Sequence, residues 1–466
     1  SGSVSIIDPG DNSALVTPAN IDLPAAAGTD QETTFEAVEG MLVSFIDTLT
    51  VSEYFQLGRY GQVVLAEGGR QRVFTEDALP DAVGYSAHLE MRETQRIVVD
   101  DLNDTQNSTD PVFHPQPGGF STTNLFRGGD SVTNLTGVMH WSWSGSGGTT
   151  RWRIRPQTSN PVVFNSANPR TTMPGDVGGD IRIASVNTLN YFSTVDLTQG
   201  GGSGPCGPLG TMDCRGADSA AELVRQTEKL VAALVNLDAD IVGLVELENN
   251  ATASLQTLVD ALNVELGAGS YAYINTGTIG SEAIKNGFIY KLAAVMPAGA
   301  HAVLDSAAFL DPNNTGSNRN RPALAQTFEV VDSANGSFGE KLTVSVLHLK
   351  SRGSGCGAGD DDSTTGQGNC NLTRTLAAEM LVDWLAGDPT GSGDPDILIL
   401  GDLNAYAMED PVAAIKQGAD DAAASSDDFV DLLGGLSNVG YSFVFDGEVG
   451  SLQRMLASSS LAPGVT

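Results

Sequence analysis

The sequence predicts two domains, the first all-β and the second mixed α/β, and three observations lead to this prediction. The chain has 466 residues, more than a single domain usually holds. Short runs of alternating apolar and polar residues dominate residues 39–157, separated by Gly, Asn, Asp and Pro. After residue 181, apolar strands alternate with amphipathic helices, which is typical of an α/β or α+β domain.

Four segments follow one another along the chain. Residues 1–36 are rich in Asp, Ala, Pro, Gly and Thr and predict an extended lead-in. Residues 37–165 predict the all-β domain, without a long amphipathic helix, and such small strands are typical of an OB-like or related barrel. Residues 166–180, SANPRTTMPGDVGGD, predict a Pro/Gly-rich linker. Residues 181–466 predict the second domain.

Buried strands and amphipathic helices interleave in this second domain. Ser219 and Glu222 are placed for a capping box at the start of the first helix. The predicted strands cover 181–187, 240–249, 287–291, 323–330, 341–350 and 394–404. The predicted helices cover 219–237, 253–266 and 371–387.

The charge of the chain is strongly acidic. Asp and Glu number 57 against 24 Lys and Arg, a net charge of −33, so the surface as a whole repels nucleic acid. A solvated acidic surface is the ordinary explanation, and a phosphate-bearing substrate would need local Arg and Lys or a metal. No apolar run, such as IVGLV at 241–245, is long enough to cross a bilayer. The chain begins SGSVS without a visible signal peptide, and we expect a processed or trimmed start.

Four cysteines lie in two Gly-rich loops. Four cysteines allow three pairings, of which the local one, Cys206 with Cys214 and Cys356 with Cys370, is the simplest. Two disulfides would indicate an oxidising, extracytoplasmic setting, whereas four reduced thiols are the alternative. The sequence lacks Cys-x-x-Cys, so it does not support a zinc or thioredoxin-type site.

Polar side chains recur where the apolar strands end. They are Asn187, Glu246, His348, Asp402 and Asn404. Taken singly, each has an ordinary structural explanation, such as a turn, a salt bridge or a core histidine. Together they form an oxygen-rich, thiolate-free set at one predicted rim, which suits Mg²⁺, Mn²⁺ or Ca²⁺ better than zinc.

Several motifs, taken in order, carry a family resemblance. They are IASVNTLNYF, IVGLVELENN, GFIYK, NRPALAQTF, VLHLKSRGS and GDLNAYAMEDP. The series resembles the endonuclease/exonuclease/phosphatase superfamily, the DNase I-like fold, and more closely its bacterial secreted extracellular nucleases. The resemblance covers roughly residues 37–460 and implies a four-layer α/β sandwich, two sheets flanked by helices, with the active site at the sheet tips.

The resemblance also implies roles for the strand-end residues. Glu246, with Asn187 beside it, would hold Mg²⁺ or Mn²⁺, with Ca²⁺ as a further option. Asp402 and Asn404 would orient the scissile phosphate, the metal or the attacking water. His348 would polarise the phosphate or act as general acid.

Arg321, in NRPALAQTF, would contact a phosphate. The expected partner is therefore DNA or another phosphodiester, hydrolysed outside the cell or at its surface.

The chain departs from the family near its end. Where the family reads Leu-Asp-His, this chain has Leu452, Gln453 and Arg454, and no Ser-Asp-His follows. The five histidines, His88, His114, His140, His301 and His348, all precede residue 349. We therefore expect weak or no hydrolysis, because groups that act as a unit do not compensate for one another. We also expect missing C-terminal strands, covered by a second copy or a partner chain.

Further candidates are weaker. Asp360, Asp361 and Asp362 form either a Ca²⁺-binding loop or a solvated acidic loop. Lys285, Lys350 and Arg352 are candidate phosphate contacts, with exposed surface cations as the alternative. In the first domain, aromatics and arginines would form either a single-strand platform or a barrel core, namely Trp141, Trp143, Arg151, Trp152, Arg153 and Arg155.

The sequence is compatible with three functional hypotheses. The first is a secreted, metal-dependent nuclease that degrades extracellular DNA or RNA. The second is a catalytically degenerate relative that serves as a binding or structural component of an extracellular assembly. The third is a phosphatase or phosphodiesterase on small substrates, since specificity in this fold lies in variable loops.

Overall fold

The computed structural model describes residues 15–24, 31–103, 105–107, 114–143, 150–157, 159–196, 202–433 and 440–465. The strands are β1 Ala19–Ile21, β2 Leu42–Phe45, β3 Leu49–Glu53, β4 Val63–Ala66, β5 Gln71–Arg72, β6 Arg96–Val99, β7 Ser131–Val132, β8 Thr136–Trp143, β9 Thr150–Pro156, β10 Phe164–Asn165, β11 Ile183–Tyr191, β12 Ile241–Glu248, β13 Tyr271–Tyr273, β14 Ile284–Lys291, β15 Val295–Pro297, β16 Ala302–Leu304, β17 Ala323–Val330, β18 Lys341–His348, β19 Ile397–Asp402, β20 Phe429–Asp431, β21 Phe443–Phe445, β22 Glu448–Gly450 and β23 Gln453–Ser458. The helices are α1 Gln31–Glu36, α2 Leu57–Tyr60, α3 Phe74–Asp77, α4 Ala82–Thr94, α5 Ala220–Leu237, α6 Ala253–Leu266, α7 Ala307–Leu310, α8 Asn371–Ala386 and α9 Asp410–Lys416.

The chain divides into two compact units. The first comprises residues 1–73, 83–170 and 443–450, and the second comprises 74–82, 171–442 and 451–466. The boundary at 170–171 lies inside the predicted linker. Two short segments belong to the unit other than the one their position in the chain suggests. The late strand β22 belongs to the first unit, where it pairs in parallel with β5, and the early helix α3 belongs to the second unit.

The first unit is built on a nine-stranded sheet, ordered β1-β2-β8-β9-β6-β4-β3-β7-β10. Its apolar core includes Phe35, Val43, Val51 and Ile154. The predicted lead-in is not extended throughout, because Ala19–Ile21 pairs with β2 and Gln31–Glu36 is helical. Residues 1–14 and 25–30 of that lead-in lie outside the described residues.

Helix α4 was not predicted. None of its residues is buried, so it lacks the apolar stripe by which a helix is recognised in a sequence.

The candidate nucleic-acid platform of the first unit is partly interior. Trp152 is 3% exposed and stacks at a tilt against Trp141, with 5.0 Å between ring centroids. Arg153 is fully buried and donates to the carboxylate of Asp100. Trp141 and Trp143 remain 39% and 44% exposed, so only these two rings present surface for stacking.

The second unit is an α/β sandwich, as predicted. One sheet has the order β11-β12-β14-β13, and the other has β15-β17-β18-β19-β23-β20, with β16 beside β17. Side chains alternate along each strand, so the two faces of each sheet pack differently. On β12, Val242 and Leu244 pack in the cluster with α5 and α6, whereas Ile241 and Val245 pack against the other sheet.

The second sheet repeats this division of faces. On β19, Leu398 and Leu400 belong to the core between the sheets, and Ile399 packs in the cluster with α8 and α9. The layers are therefore helices, sheet, sheet and helices. Gly243 on β12 leaves room for Leu400 of the other sheet, because a Cβ on Gly243 would meet Leu400 Cδ1 at 2.2 Å. Among the described residues, no helix combines the length and apolar character that crossing a membrane requires.

Candidate active site at the strand tips

In the sheet that contains β18 and β19, the rows of side chains that face the other sheet end in polar residues at one edge, which we call the rim. Val344 and Val346 on β18 lie between the sheets, and His348 continues that row. Leu398 and Leu400 on β19 are likewise continued by Asp402. His348 and Asp402 are direct partners in the parallel β18–β19 ladder, and His348 Nε2 lies 3.9 Å from Asp402 Oδ2.

A bulge on β12 brings Glu246 to the same rim. Regular alternation would place Glu246 on the helix side, in the row of Val242 and Leu244. Instead Glu246 has a φ of 64°, the register shifts between Leu244 and Leu247, and Leu247 takes the helix side. Bulges commonly re-aim a side chain next to a functional site, and a positive φ at a non-glycine residue carries a strain cost.

The amide of Asn187 joins the two carboxylates. Asn187 Nδ2 donates to Glu246 Oε1 at 3.0 Å and to Asp402 Oδ2 at 3.3 Å. The backbone N–H of Asn190 donates to Glu246 Oε2 at 3.0 Å, from a left-handed turn at the end of β11. Three strands from two sheets therefore meet at one hydrogen-bonded group.

The turn after β19 aligns Asp402. Gly401 has a φ of 137°, and a Cβ there would lie 2.0 Å from Leu347 O, so the approach of β18 requires glycine. Asn404, at a φ of 50°, donates its backbone N–H to Asp402 Oδ1 at 3.0 Å. Asn404 Nδ2 and Arg321 Nη1 both donate to Leu349 O, at 3.1 Å and 3.0 Å. Asn404 thus ties the end of β19 to the end of β18.

Burial shifts the pKa values of Asp402 and His348. Desolvation raises the pKa of Asp402 to about 6, and the nearby Glu246 charge adds to the rise, against hydrogen bonds from Asn404 and Asn187. Desolvation lowers the pKa of His348 well below its ordinary value, with further lowering by the charges of Arg321 and Arg215. His348 is therefore neutral at neutral pH, and either tautomer of a neutral ring carries one N–H donor.

All six predicted catalytic, metal and phosphate residues thus lie at one rim. The cysteines are paired as Cys206–Cys214 and Cys356–Cys370, with S–S distances of 2.02 and 2.08 Å. Among the described residues, two groups of three His, Cys, Asp or Glu side chains lie close enough to hold a metal ion, and neither includes a predicted catalytic, metal or phosphate residue. They are Cys356, Asp361 and Cys370, and Asp420, Asp427 and Asp428.

Other sequence candidates have structural partners. Lys285 is 1% exposed and donates to the carbonyls of Ala251 and Gly277, at 2.5 and 2.6 Å. Arg352 pairs with Glu409 at 2.9 Å and covers the ring of Tyr406. Both cations are therefore already bound to groups of the protein, and neither is an exposed surface cation.

The carboxylates of Asp360 and Asp361 also accept hydrogen bonds from neighbouring groups of the protein. Asp360 accepts hydrogen bonds from Asn313 and Thr373, and Asp361 accepts them from the backbone of Cys356, Gly357 and Cys370.

One inward-facing residue, Asn286, was missed by the sequence analysis, and another, Gln453, takes a place that the sequence did not decide. Asn286 on β14 precedes Phe288 and Tyr290 in the row between the sheets, and its Nδ2 donates to Pro322 O at 2.8 Å. The signal was its even spacing from Phe288, but the predicted strand began one residue later. Gln453 is the cross-strand partner of Asp402. It therefore lies on the same face, whereas Arg454 points to the helix side and pairs with Glu76 and Asp431 at 2.6 and 3.1 Å.

Several solved structures are similar to part of this chain at low identity. The catalytic domain of human Nocturnin is 16% identical, covering 50% of this chain and 75% of that chain, with a TM-score of 0.32. An endonuclease/exonuclease/phosphatase family protein from Bacteroides thetaiotaomicron is 14% identical, covering 52% and 77%, with a TM-score of 0.36. The mannosyl-6-phosphatase of that organism is 13% identical, covering 51% and 78%, with a TM-score of 0.33. No curated protein matches the chain significantly.

The sequence itself matches a family description over more than half of the chain. The matched residues are 199–463, which include β12, β14, β18, β19 and β23 and so most of the rim. The chain is accordingly a member of the endonuclease/exonuclease/phosphatase family.

Proposed function

We propose that this protein is a divalent-metal-dependent phosphodiester hydrolase that cleaves nucleic acid, DNA or RNA, at the rim formed by Glu246, Asp402 and His348. The observation that carries the proposal is the Asn187 amide, which donates to both carboxylates, at 3.0 and 3.3 Å. These residues lie 59 and 215 positions from Asn187 in the chain, so the fold has gathered them. Holding the buried carboxylate of Asp402 close to the half-buried carboxylate of Glu246 costs stability, and such arrangements are concentrated at functional sites.

The donors at the rim fit a hard cation. Enzymes of this family generally depend on divalent metal ions. Glu246 and Asp402 supply carboxylate oxygens, and Asn286 Oδ1 is buried without a hydrogen-bond partner among the described residues. An all-oxygen set suits Mg²⁺ or Mn²⁺, with Ca²⁺ as a further option, and does not suit zinc. Such an ion, when bound, would offset charge on the phosphate and favour attack by water.

The chain's own residues suggest a division of roles. Asp402, fixed by hydrogen bonds from Asn187 and Asn404, would orient the scissile phosphate, the cation or the attacking water. His348, kept neutral by burial, would donate a hydrogen bond to a phosphate oxygen; its Nδ1 has no partner among the described residues. Its lowered pKa favours this polarising role over that of a charged general acid. Arg321 would neutralise the same phosphate.

A non-catalytic role is favoured by one observation. Gln453 stands beside Asp402 on the same face, where the family resemblance calls for an aspartate. A neutral amide there removes one negative charge from the rim and with it part of the affinity for a cation. This alternative would make the protein a binding component of an extracellular assembly. Hydrolysis of small phosphoesters is the third option, and the assay below separates all three.

We also propose that the protein acts outside the cell or at its surface, as bacterial secreted nucleases do. Two disulfides and the acidic surface support this setting.

Degradation of plasmid DNA and of RNA, with Mg²⁺ or Mn²⁺ and with chelator, tests the proposed activity. We expect hydrolysis that chelator abolishes and that Glu246→Gln lowers by at least about a hundredfold, because the charge that holds the cation is lost. Glu329→Gln is the matched control, a half-buried strand glutamate of the same unit away from the rim, and should retain the parent rate.

Equal rates for Glu246→Gln and the parent protein would refute the proposal. Turnover of p-nitrophenyl phosphate without nucleic-acid cleavage would support the small-substrate option. No turnover of either, in a folded protein, would support the non-catalytic role.

A further inference from the structure

Three cations near the rim lack carboxylate partners, although the chain is strongly acidic. Within the described ranges, no carboxylate oxygen lies within 4.0 Å of a charged nitrogen of Arg319, Arg321 or Lys350. Lys350 Nζ contacts the hydroxyl of Ser354 at 3.0 Å, and Arg319 Nε contacts that of Thr315 at 3.4 Å. With 57 acidic and 24 basic residues, cations that remain unpaired in one place are unexpected.

These cations also act on one another. The backbone N–H of Lys350 donates to Asn320 Oδ1 at 2.9 Å, so Lys350 lies beside the segment that carries Arg319 and Arg321. The charges of these two arginines lower the pKa of Lys350 after desolvation, and the charge of Glu282 opposes them. Like charges held together are destabilising unless an anion joins them, so this arrangement favours a bound anion.

A fourth cation, Arg215, reaches the same place from a disulfide-closed hairpin. Cys206 and Cys214 are bonded, and Cys206 and Met212 exchange backbone hydrogen bonds of 3.1 and 2.9 Å. Arg215 follows the disulfide directly. Its guanidinium faces Glu282. The residue before Glu282, Ser281, accepts a hydrogen bond from Asn318 Nδ2 at 3.1 Å, which places this segment next to Arg319.

The hairpin is anchored beside the rim by apolar packing. Cys206 is fully buried with Phe192, which follows β11, and with Ala283 and Ile284 at the start of β14. The neighbouring Glu282 is the carboxylate that faces Arg215, with 3.8 Å between Nη2 and Oε2. That distance exceeds a hydrogen bond, and the Arg215 side chain is 40% exposed, so the guanidinium can still bind another anion.

We propose that Arg215, Arg319 and Lys350 form a flanking phosphate site, which binds backbone phosphates next to the one held at Arg321. The ligand is then a nucleic-acid strand of several nucleotides, because a small phosphoester has no second phosphate to place there. The inference rests on the proposed function for the scissile phosphate and adds to it the class of substrate. Glu282 acts in the free protein as an internal competitor for Arg215.

The flanking site also explains how a strongly acidic chain could bind a polyanion. A net charge of −33 repels a polyanion at long range, and that repulsion is screened by salt. Contacts between cations and phosphates release counterions and weaken with salt in proportion to their number. A local group of cations therefore lets an acidic protein hold a strand in a defined place.

Binding of a fluorescein-labelled single-stranded DNA of about 12 nucleotides tests the inference. Fluorescence anisotropy is measured in the Glu246→Gln background, so that binding is separated from hydrolysis. We expect Arg215→Ala and Lys350→Ala each to weaken binding about fivefold and to lower the salt slope by about 0.7. Glu282→Gln should tighten binding, because it removes the competing carboxylate.

Arg225→Ala is the matched control, since Arg225 is also exposed and pairs loosely with a glutamate, Glu222, at 3.6 Å. Equal affinity for Arg215→Ala and Arg225→Ala, or weaker binding for Glu282→Gln, would overturn the flanking site. Altered binding in Arg215→Ala, in a parent protein that shows no hydrolysis, would uphold the flanking site and count against the proposed nuclease activity only.

Discussion

Asp402→Asn should stabilise the protein at neutral pH while removing its activity. In the folded chain the Asp402 carboxyl has a pKa of about 6 against an ordinary value of 3.8, mainly because burial disfavours its charged form. A group whose folded pKa is raised contributes stability that is present below the unfolded pKa and is lost as pH rises through the folded pKa. The side chain is 12% exposed, so solvent screens this effect only weakly.

The size of the effect follows from the shift. A rise from 3.8 to about 6 corresponds to about 3 kcal/mol of unfolding free energy. Roughly 2 kcal/mol of this is lost between about pH 4.5 and pH 7.5, where the folded state holds the proton and the unfolded state has released it. An asparagine keeps the shape and the acceptor for the Asn404 N–H but carries no charge, so the variant should lack this loss.

Urea unfolding of parent and variant at both pH values, with chelator present, measures the prediction. The stability difference between Asp402→Asn and the parent should grow in favour of the variant by roughly 2 kcal/mol from about pH 4.5 to pH 7.5. Adding Mg²⁺ at the higher pH should stabilise the parent more than the variant. A difference that does not change with pH, or that changes in the opposite direction, would refute the reasoning.

Two further predictions concern the frame of the site. Arg454→Ala should destabilise the protein by about 3–5 kcal/mol, because it leaves the carboxylates of Glu76 and Asp431 buried without their cation, and a lowered thermal midpoint would report this. An unchanged midpoint would mean that these carboxylates are reached by water. Replacing both Cys356 and Cys370 by Ser should cost about 3 kcal/mol, since the disulfide closes a loop of 14 residues, and urea unfolding measures this loss. Under reducing conditions, where both disulfides open, parent and variant should become equally stable.

Strand-end residues of the site were predictable because they continue visible apolar runs. His348 and Asp402 each follow a buried strand, and parallel neighbours bring such ends to one edge. The bulge at Glu246 was not visible in the sequence, because it depends on the pairing of β12 with its neighbours. Asn286 was missed since a single polar residue at the start of a strand looks like a turn residue.

The sequence also did not decide which face of the sheet Gln453 and Arg454 occupy. Gln453 and Arg454 both replace expected catalytic residues, yet only Gln453 lies beside Asp402. The pairing register of β23 decides this, because a shift of one residue would exchange the two faces. The sequence also did not predict the partners of Lys285 and Arg352, since these come from segments distant in the chain.

The sequence by itself determined the class of fold, the family and the chemical character of the rim, because periodicity and residue type are local properties. Only the tertiary structure decided which oxygens meet, which cations are already paired and which remain open to an anion. Those outcomes depend on burial and on contacts between residues tens to hundreds of positions apart. The carboxyl group of Asp402 owes its raised pKa, and any function that follows from it, to that assembly.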